Sequence, residues 1–237
     1  MSDRLYFRQF LAGRDFALED PIARQMVNLV YVVGDRESGD ALLIDPAYRP
    51  DELVEMLSAD GMQLSGVLAT HYHADHIGGD LMGHDIAGIA ELLEHADVPI
   101  HVQRDEVEWV TRTTGVGVRA LVAHESGDRV MAGEIEVTLL HTPGHTPGSQ
   151  CFIVDGRLVS GDTLFLEGCG RTDLPGSDPE EMYVTLTQRL ARISDDTVLF
   201  PGHLYSAEPS APMGEVRALN CVLAPRTPEQ WMAMFAR

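Results

Sequence analysis

Positive charge is scarce in this chain. Its 237 residues carry 17 lysines and arginines against 37 aspartates and glutamates, a formal charge of 17 − 37 = −20, and no cluster of cations breaks the acidic excess. Such a field repels phosphate backbones and anionic headgroups, so neither nucleic acid nor a membrane surface is an expected partner. Long hydrophobic runs are also missing. No window approaches the roughly 18 apolar residues of a membrane span, and the opening stretch MSDRLYFRQFLAGRDF lacks the apolar core of a secretory signal. The three cysteines, Cys151, Cys169 and Cys221, are odd in number and widely spaced, with no Cys-x-x-Cys pair. That excludes a disulfide scaffold and fits reduced thiols in a cytoplasm. Repeats, low-complexity tracts and Gly/Ser/Pro-rich linkers are absent, so residues 1–237 are expected to form one domain with ample core. Composition leaves the oligomeric state open.

What is present is an interleaving of strand and helix patterns, which argues for a layered α/β architecture. NLVYVVGDRESGDALLIDPA (28–47) reads as a hairpin, and PDELVEMLSADG (50–61) as a helix with proline at its start and glycine at its end. SGVLATH follows as a short buried strand, DIAGIAELLEHA (85–96) as a helix, VPIHV as a strand and RDEVEWVTRT as a short helix. EIEVTLLH, QCFIVDG, RLVSG and TVLFPGH complete the strands. DPEEMYVTLTQRLARI (178–193) is a helix with Asp178 at its N-cap, and TPEQWMAMF (227–235) a terminal one.

The chemistry concentrates in ATHYHADHIGG (69–79), where three histidines and an aspartate fall within six positions, 71–76. The stretch gains meaning from three others. Four apolar runs each end in residues able to bind metal: GVLAT delivers His71, His73, Asp75 and His76, VTLLHTPG delivers His145, RLVSG delivers Asp162, and VLFPG delivers His203. Donors held on short turns at several strand ends make a rigid site at one rim of a sheet. Five histidines and two aspartates suit two metals sharing a carboxylate better than one. The remaining histidines, His84, His95, His101 and His124, read as surface or helix-end residues, Cys169 as a small packed one, and Met213, Met232 and Met234 as core filler.

The pattern His-x-His-x-Asp-His, followed by a distant His, an Asp and a His, resembles the metallo-β-lactamase superfamily over nearly the whole chain. The resemblance implies an αββα sandwich with a metal site at one edge of the two sheets. Within the superfamily, THYHADHIGG, TPGHTPGS, GDTLF, GCGRTDLPG and PGHLYS look like the glyoxalase II group, the hydroxyacylglutathione hydrolases. Carried over, His71, His73 and His145 take the first metal, and Asp75, His76 and His203 the second. Asp162 bridges, and Asp45 supports the metal loop without binding metal. The implied activity is hydrolysis of a thioester between a 2-hydroxy acid and a low-mass thiol, a small-molecule substrate, by a hydroxide bridging two divalent ions, zinc foremost. Asp75 is then a ligand first and a proton shuttle second. Tyr205 matches a substrate-contacting tyrosine, and Arg171 is placed to meet a substrate carboxylate.

Two departures leave the thiol carrier open. Only EVRALNCVLAPRTPEQWMAMFAR follows the last ligand loop, where glyoxalase II enzymes carry a longer helical region. An insert across 80–98 lies beside the site, as a lid or, by its apolar face, as a helix covering the sheet. RQF, VVGDRESGDALLIDP, GCGRTD and the short tail also resemble persulfide dioxygenases, which use one iron on the equivalents of His71, His145 and Asp162.

Overall fold

The computed structural model describes residues 4–224 and 226–235. Its frame is a pair of six-stranded sheets. In the first, the strands run in the spatial order Leu5–Leu11, Leu29–Asp35, Asp40–Ile44, Gln63–Leu68, Ile100–Gln103, Leu121–His124. In the second the order is Ala211–Pro212, Val198–Pro201, Arg157–Gly161, Gln150–Val154, Ile135–His141, Arg129–Ala132. Side chains alternate across a strand, and the alternation assigns the layers. Leu29, Tyr31 and Val33 join Leu42, Ile44, Phe152, Val154 and Val159 in one core between the sheets. Their neighbours Val30, Val32, Ala41 and Leu43 face away, into a second core shared with Leu53 and Leu57 of helix Pro50–Ala59. On the far side, Cys151, Leu158 and Leu199 pack against Met182, Leu186, Met213 and Trp231 from the helical segments. Helices outside, two sheets inside: the order is αββα. Burial on both faces explains why the strand Leu29–Asp35 opens with an unbroken apolar run, LVYVV, and does not alternate.

The expected hairpin, the helix at 50–59 and the strands around the ligand motifs all form. The expected helix over 85–96 is shortened. Gly79–Leu81 and His84–Ile86 pair as a two-stranded ribbon, and only Ile89–Leu93 is helical. Two glycines explain the loss. At Gly88 a Cβ would sit 2.1 Å from the carbonyl oxygen of Ile77, and Gly78 carries φ +90 against the same segment. The insert therefore covers the sheet, the second of its two expected roles. Ile86, Ile89 and Leu92 are buried under the sheet, while the ribbon tip at Met82 is exposed. Met213 is core as expected, whereas Met234 is exposed. Among the described residues no helix is long and apolar enough to cross a membrane.

Candidate metal centre

Every donor arises where a strand stops. Beyond Gln63–Leu68 the chain is caught by Asp45, which accepts from Thr70 N at 2.7 Å and Thr70 Oγ1 at 2.6 Å. His73 then caps a single helical turn, Ala74–Ile77, whose curvature turns Asp75 and His76 inward. His145 sits in the turn between Ile135–His141 and Gln150–Val154, Asp162 directly after Arg157–Gly161, and His203 after Val198–Pro201. Gly161 (φ +50) lets the strand before Asp162 pass Thr70, since a Cβ there would lie 2.5 Å from Oγ1.

The donors converge in two groups. His71 Nε2 and His145 Nε2 each approach His73 Nδ1 to 3.0 Å. His76 Nε2 and His203 Nε2 are 3.2 Å apart, with Asp75 Oδ2 at 3.4 Å from His203. Within each group the donor atoms lie within 4.8 Å of one another. Asp162 spans both: Oδ1 is 3.3 Å from His76 Nε2 and 3.4 Å from His203 Nε2, and Oδ2 is 3.6 Å from His145 Nε2. Asp45, His71 and His76 also fall within reach of one another. The carboxylate of Asp45, however, is already engaged by Thr70 and by His76 Nδ1, so it supports the centre from outside.

These residues fit metal ions. The outward nitrogens of four of the five histidines are spoken for: His76 Nδ1 donates to Asp45 Oδ2 (2.9 Å), His145 Nδ1 to the Arg171 carbonyl (2.8 Å) and His203 Nδ1 to the Met26 carbonyl (2.7 Å). Thr70 Oγ1 gives its one hydrogen to Asp45, so it accepts from His71 Nδ1 at 2.9 Å. The Nε2 lone pairs of these four rings consequently point inward. Lone pairs about 3 Å apart repel unless a cation lies between them, and nitrogens on a tetrahedral zinc are separated by roughly that distance. Asp162 Oδ1 is buried and has no hydrogen-bond partner. That is a costly state for a carboxylate oxygen unless a cation takes its lone pairs.

Electrostatics divide the two groups. Burial, reinforced by neighbouring imidazoles, holds His71 well below the ordinary histidine range and takes His73 down to about 3. Burial also lowers His145. His76 and His203 are pushed down by burial too, but Asp162 and Asp75 outweigh it and hold both above the ordinary value. Asp162, and to a lesser degree Asp75, is held down against burial by these same imidazoles. One half of the centre is thus a neutral nitrogen cage, and the other is a carboxylate-rich pocket that demands positive charge. Metal ions would replace protons there.

Asn28 had no signal in the sequence, where it merely opens an apolar strand. Its Nδ2 donates to Asp75 Oδ2 at 3.1 Å, and its Oδ1 accepts from Tyr48 OH at 2.9 Å. His141, close to the ligand turn in sequence, braces that turn through the Pro147 carbonyl at 2.9 Å.

The donors floor a cleft of about 800 Å³. Tyr72, stacked on Trp109 at 4.8 Å and 23°, forms one wall, with its hydroxyl on the Pro175 carbonyl. Leu81 and Met82 of the ribbon form another. Tyr205 lies flat on His203 (4.7 Å, 5°) and edges onto Phe165 at 5.1 Å. Arg171 reaches the rim, but its guanidinium is engaged by Asp173 at 2.9 and 3.0 Å, and the part of Arg171 closest to the chemistry is its backbone carbonyl. Cys169 lines the cleft half-buried, its thiol pushed up to about 12 by burial.

Comparison with known proteins agrees with this geometry. The model of the metallo-beta-lactamase superfamily matches residues 23–203. A probable polyketide biosynthesis zinc-dependent hydrolase, BaeB of Bacillus velezensis, is 30% identical over 186 residues, 78% of this chain and 77% of that one. A hydroxyacylglutathione hydrolase of Polaromonas sp. is 35% identical over 182 residues, 75% of this chain and 62% of that one. The human mitochondrial persulfide dioxygenase ETHE1 is 29% identical over 197 residues, 80% and 69%. The crystal structure of ETHE1 from Myxococcus xanthus superposes with a TM-score of 0.79 at 26% identity, covering 97% of this chain and 89% of that one. With its αββα sandwich, its buried histidine and aspartate clusters at one sheet edge and a family match over most of its length, this chain belongs to the metallo-β-lactamase superfamily.

Proposed function

We propose that this protein is a two-metal hydrolase that cleaves the thioester of a 2-hydroxy acid and a low-mass thiol. The observation that carries the reading is the span of Asp162, one carboxylate facing the His76/His203 pair with Oδ1 and His145 with Oδ2. His71, His73, His145 and Asp162 would hold one ion, and Asp75, His76, His203 and Asp162 the other. Bound there, a pair of divalent ions supplies Lewis acidity and brings the pKa of water to about 7. The chain's own residues do the rest. Thr70, Asp45 and the Arg171 and Met26 carbonyls keep the imidazoles in one tautomer and orientation. Asn28 holds Asp75 Oδ2, leaving Asp75 a ligand that passes a proton only secondarily. Tyr72, Phe165 and Tyr205 give the acyl group an apolar wall and shield the reacting carbonyl from bulk water. A leaving thiol with a pKa of about 8.5 departs without a strong acid, which suits a cleft that offers none.

The similarity to the persulfide dioxygenase supports a second reading, one iron on His71, His145 and Asp162. Metal analysis paired with two assays separates them. About two zinc ions per chain with turnover of a lactoyl thioester is the expected result. One iron with oxygen uptake on a thiol persulfide would overturn it.

A further inference from the structure

One buried acid plays no part in the chemistry above. Glu106 is 1% exposed and lies between strand Ile100–Gln103 and helix Val107–Thr114. Its position at the head of a helix suggests a capping or dipole role, yet its side chain makes no capping hydrogen bond. All three of its hydrogen bonds go to other segments. Oε1 accepts from Tyr72 N and from Thr146 Oγ1, both at 2.8 Å, and Oε2 accepts from Gly148 N at 2.6 Å.

Those three donors have one thing in common. Tyr72 lies between His71 and His73, while Thr146 and Gly148 follow His145 within three residues. The carboxylate thus fastens together the two loops, more than 70 residues apart, that supply one of the two donor groups. The other group is held by Asp45, Asn28 and the Met26 carbonyl, of which only Asp45 also reaches the first group, through Thr70 and His71. Gly148 points to the same contact independently: a Cβ there would lie 2.6 Å from Glu106 N and from Oε2. The loop keeps a glycine where the carboxylate must come close. Burial pushes Glu106 up to about 7, against the pull of its donors, so a carboxylate at this position is costly and a structural filler would not need one.

We propose that Glu106 is a positioning residue for the His71, His73 and His145 group, setting the separation of its two loops and thereby the metal affinity of that group alone. The site-selective part rests on the two-metal reading; the positioning itself does not, because His71 and His145 belong to either ligand set.

The test is a titration of metal-free protein with cobalt(II) and with zinc(II), each against a chromophoric chelator, with the cobalt absorption spectrum recorded. The variants are Glu106→Ala, Glu106→Gln, Gly148→Ala and, as a control in a distant core, Trp231→Leu. Loss of a residue that orients metal ligands typically lowers affinity by about 10–100-fold. Glu106→Ala and Gly148→Ala are therefore expected to weaken one equivalent by that factor and alter its cobalt spectrum, with the second equivalent unchanged. Glu106→Gln keeps an Oε1 acceptor for Tyr72 N and Thr146 Oγ1 but loses the one for Gly148 N, so it should fall between Glu106→Ala and wild type. Trp231→Leu should lower the melting temperature and leave both affinities intact. Unchanged affinities in the Glu106 and Gly148 variants overturn the inference. So does equal weakening of both equivalents in step with melting temperature, since that marks general destabilisation. A wild type that binds a single equivalent overturns the two-metal reading instead, and Glu106→Ala must then weaken that one ion for the positioning role to stand. Glu106→Gln and Gly148→Ala carry the test if the alanine variant does not fold.

Discussion

The imidazole of His76 and the carboxylate of Asp45 meet at 2.9 Å, Nδ1 to Oδ2, with both side chains buried. The same Oδ2 takes the Thr70 hydroxyl, and Thr70 in turn receives His71. Asp45 therefore reaches both donor groups through two short relays, His76 in one and His71 in the other. Asp45→Asn is a clean probe, because asparagine tolerates the left-handed backbone that Asp45 adopts at φ 55. An amide has only one acceptor oxygen for three donors. Both metal equivalents should weaken by about 10–100-fold, with little change in fold, as read by chelator competition and circular dichroism. Selective loss of one equivalent would contradict the double relay.

Asp162 Oδ1 and the backbone at Gly202 leave no room for a side chain, since a Cβ at 202 would stand 2.4 Å from that oxygen and 3.0 Å from His76 Cε1. Gly202→Ala should therefore displace Asp162 from its span and lower kcat by at least the roughly 100-fold expected when a catalytic geometry is misplaced by about an ångström. Metal stoichiometry measured alongside should drop. Wild-type stoichiometry and turnover in this variant would show that the span is not needed.

The cleft also carries a charge preference. Beyond the donors, its lining holds Asp80 and Glu167, and its one arginine, Arg171, is already paired with Asp173. The chain contains no lysine at all. An anionic thiol carrier therefore meets a repulsive rim, at about 1 kcal/mol, or roughly fivefold in kcat/KM, for each added negative charge near the rim. With the same lactoyl group, the order should be N-acetylcysteamine above glutathione above coenzyme A, and salt should narrow the gaps. Glu167→Gln should favour the anionic carriers. The reverse order would mean that Arg171 leaves Asp173 to grip the substrate.

The donors were legible in the sequence because each closes an apolar run, and the spacing within 71–76 leaves few ways to face them other than inward. The layers were legible for a related reason: strand and helix patterns alternate along the chain. Apart from Asp45, which the family resemblance supplied, the partners that hold the donors could not be read. Asn28 and Glu106 lie 47 and 34 residues from the residues they contact, Asp75 and Tyr72, and a lone polar residue at a strand start or helix start has an ordinary local explanation. Arg171 has a second role that was hidden for a similar reason. Its side chain suggested a substrate contact, while the fold uses its carbonyl to orient His145. The helix over 85–96 failed at its start because Gly78 and Gly88 press two backbones together, a tertiary contact that periodicity does not contain.

Tyr205 and His203 stack as parallel rings, and Phe165 braces the tyrosine from the side. If the ring contributes through this packing and through contact with the acyl group, its hydroxyl is dispensable. Tyr205→Phe should leave KM near wild type, whereas Tyr205→Ala should raise it by about 2–10-fold, the worth of one aromatic contact. A large effect of Tyr205→Phe would assign the hydroxyl a hydrogen bond to substrate.

Away from the centre, His101 and His124 pair across parallel strands, Nδ1 to Nε2 at 2.8 Å. This is more than the surface role their sequence suggested. Burial, and then the neighbouring His124, bring His101 down to about 4, from an unfolded value near 6.5. A depressed folded-state pKa means that the unfolded chain binds the proton more readily. The stability contributed by neutral His101 is therefore complete above about pH 6.5 and is lost as pH falls through the window down to about 4. His101→Gln removes the titrating group, so the melting temperatures of variant and wild type should diverge least near pH 4 and most above pH 6.5, if glutamine makes the weaker contact. Parallel curves across that window would show that His101 titrates no differently in the folded chain than in the unfolded one.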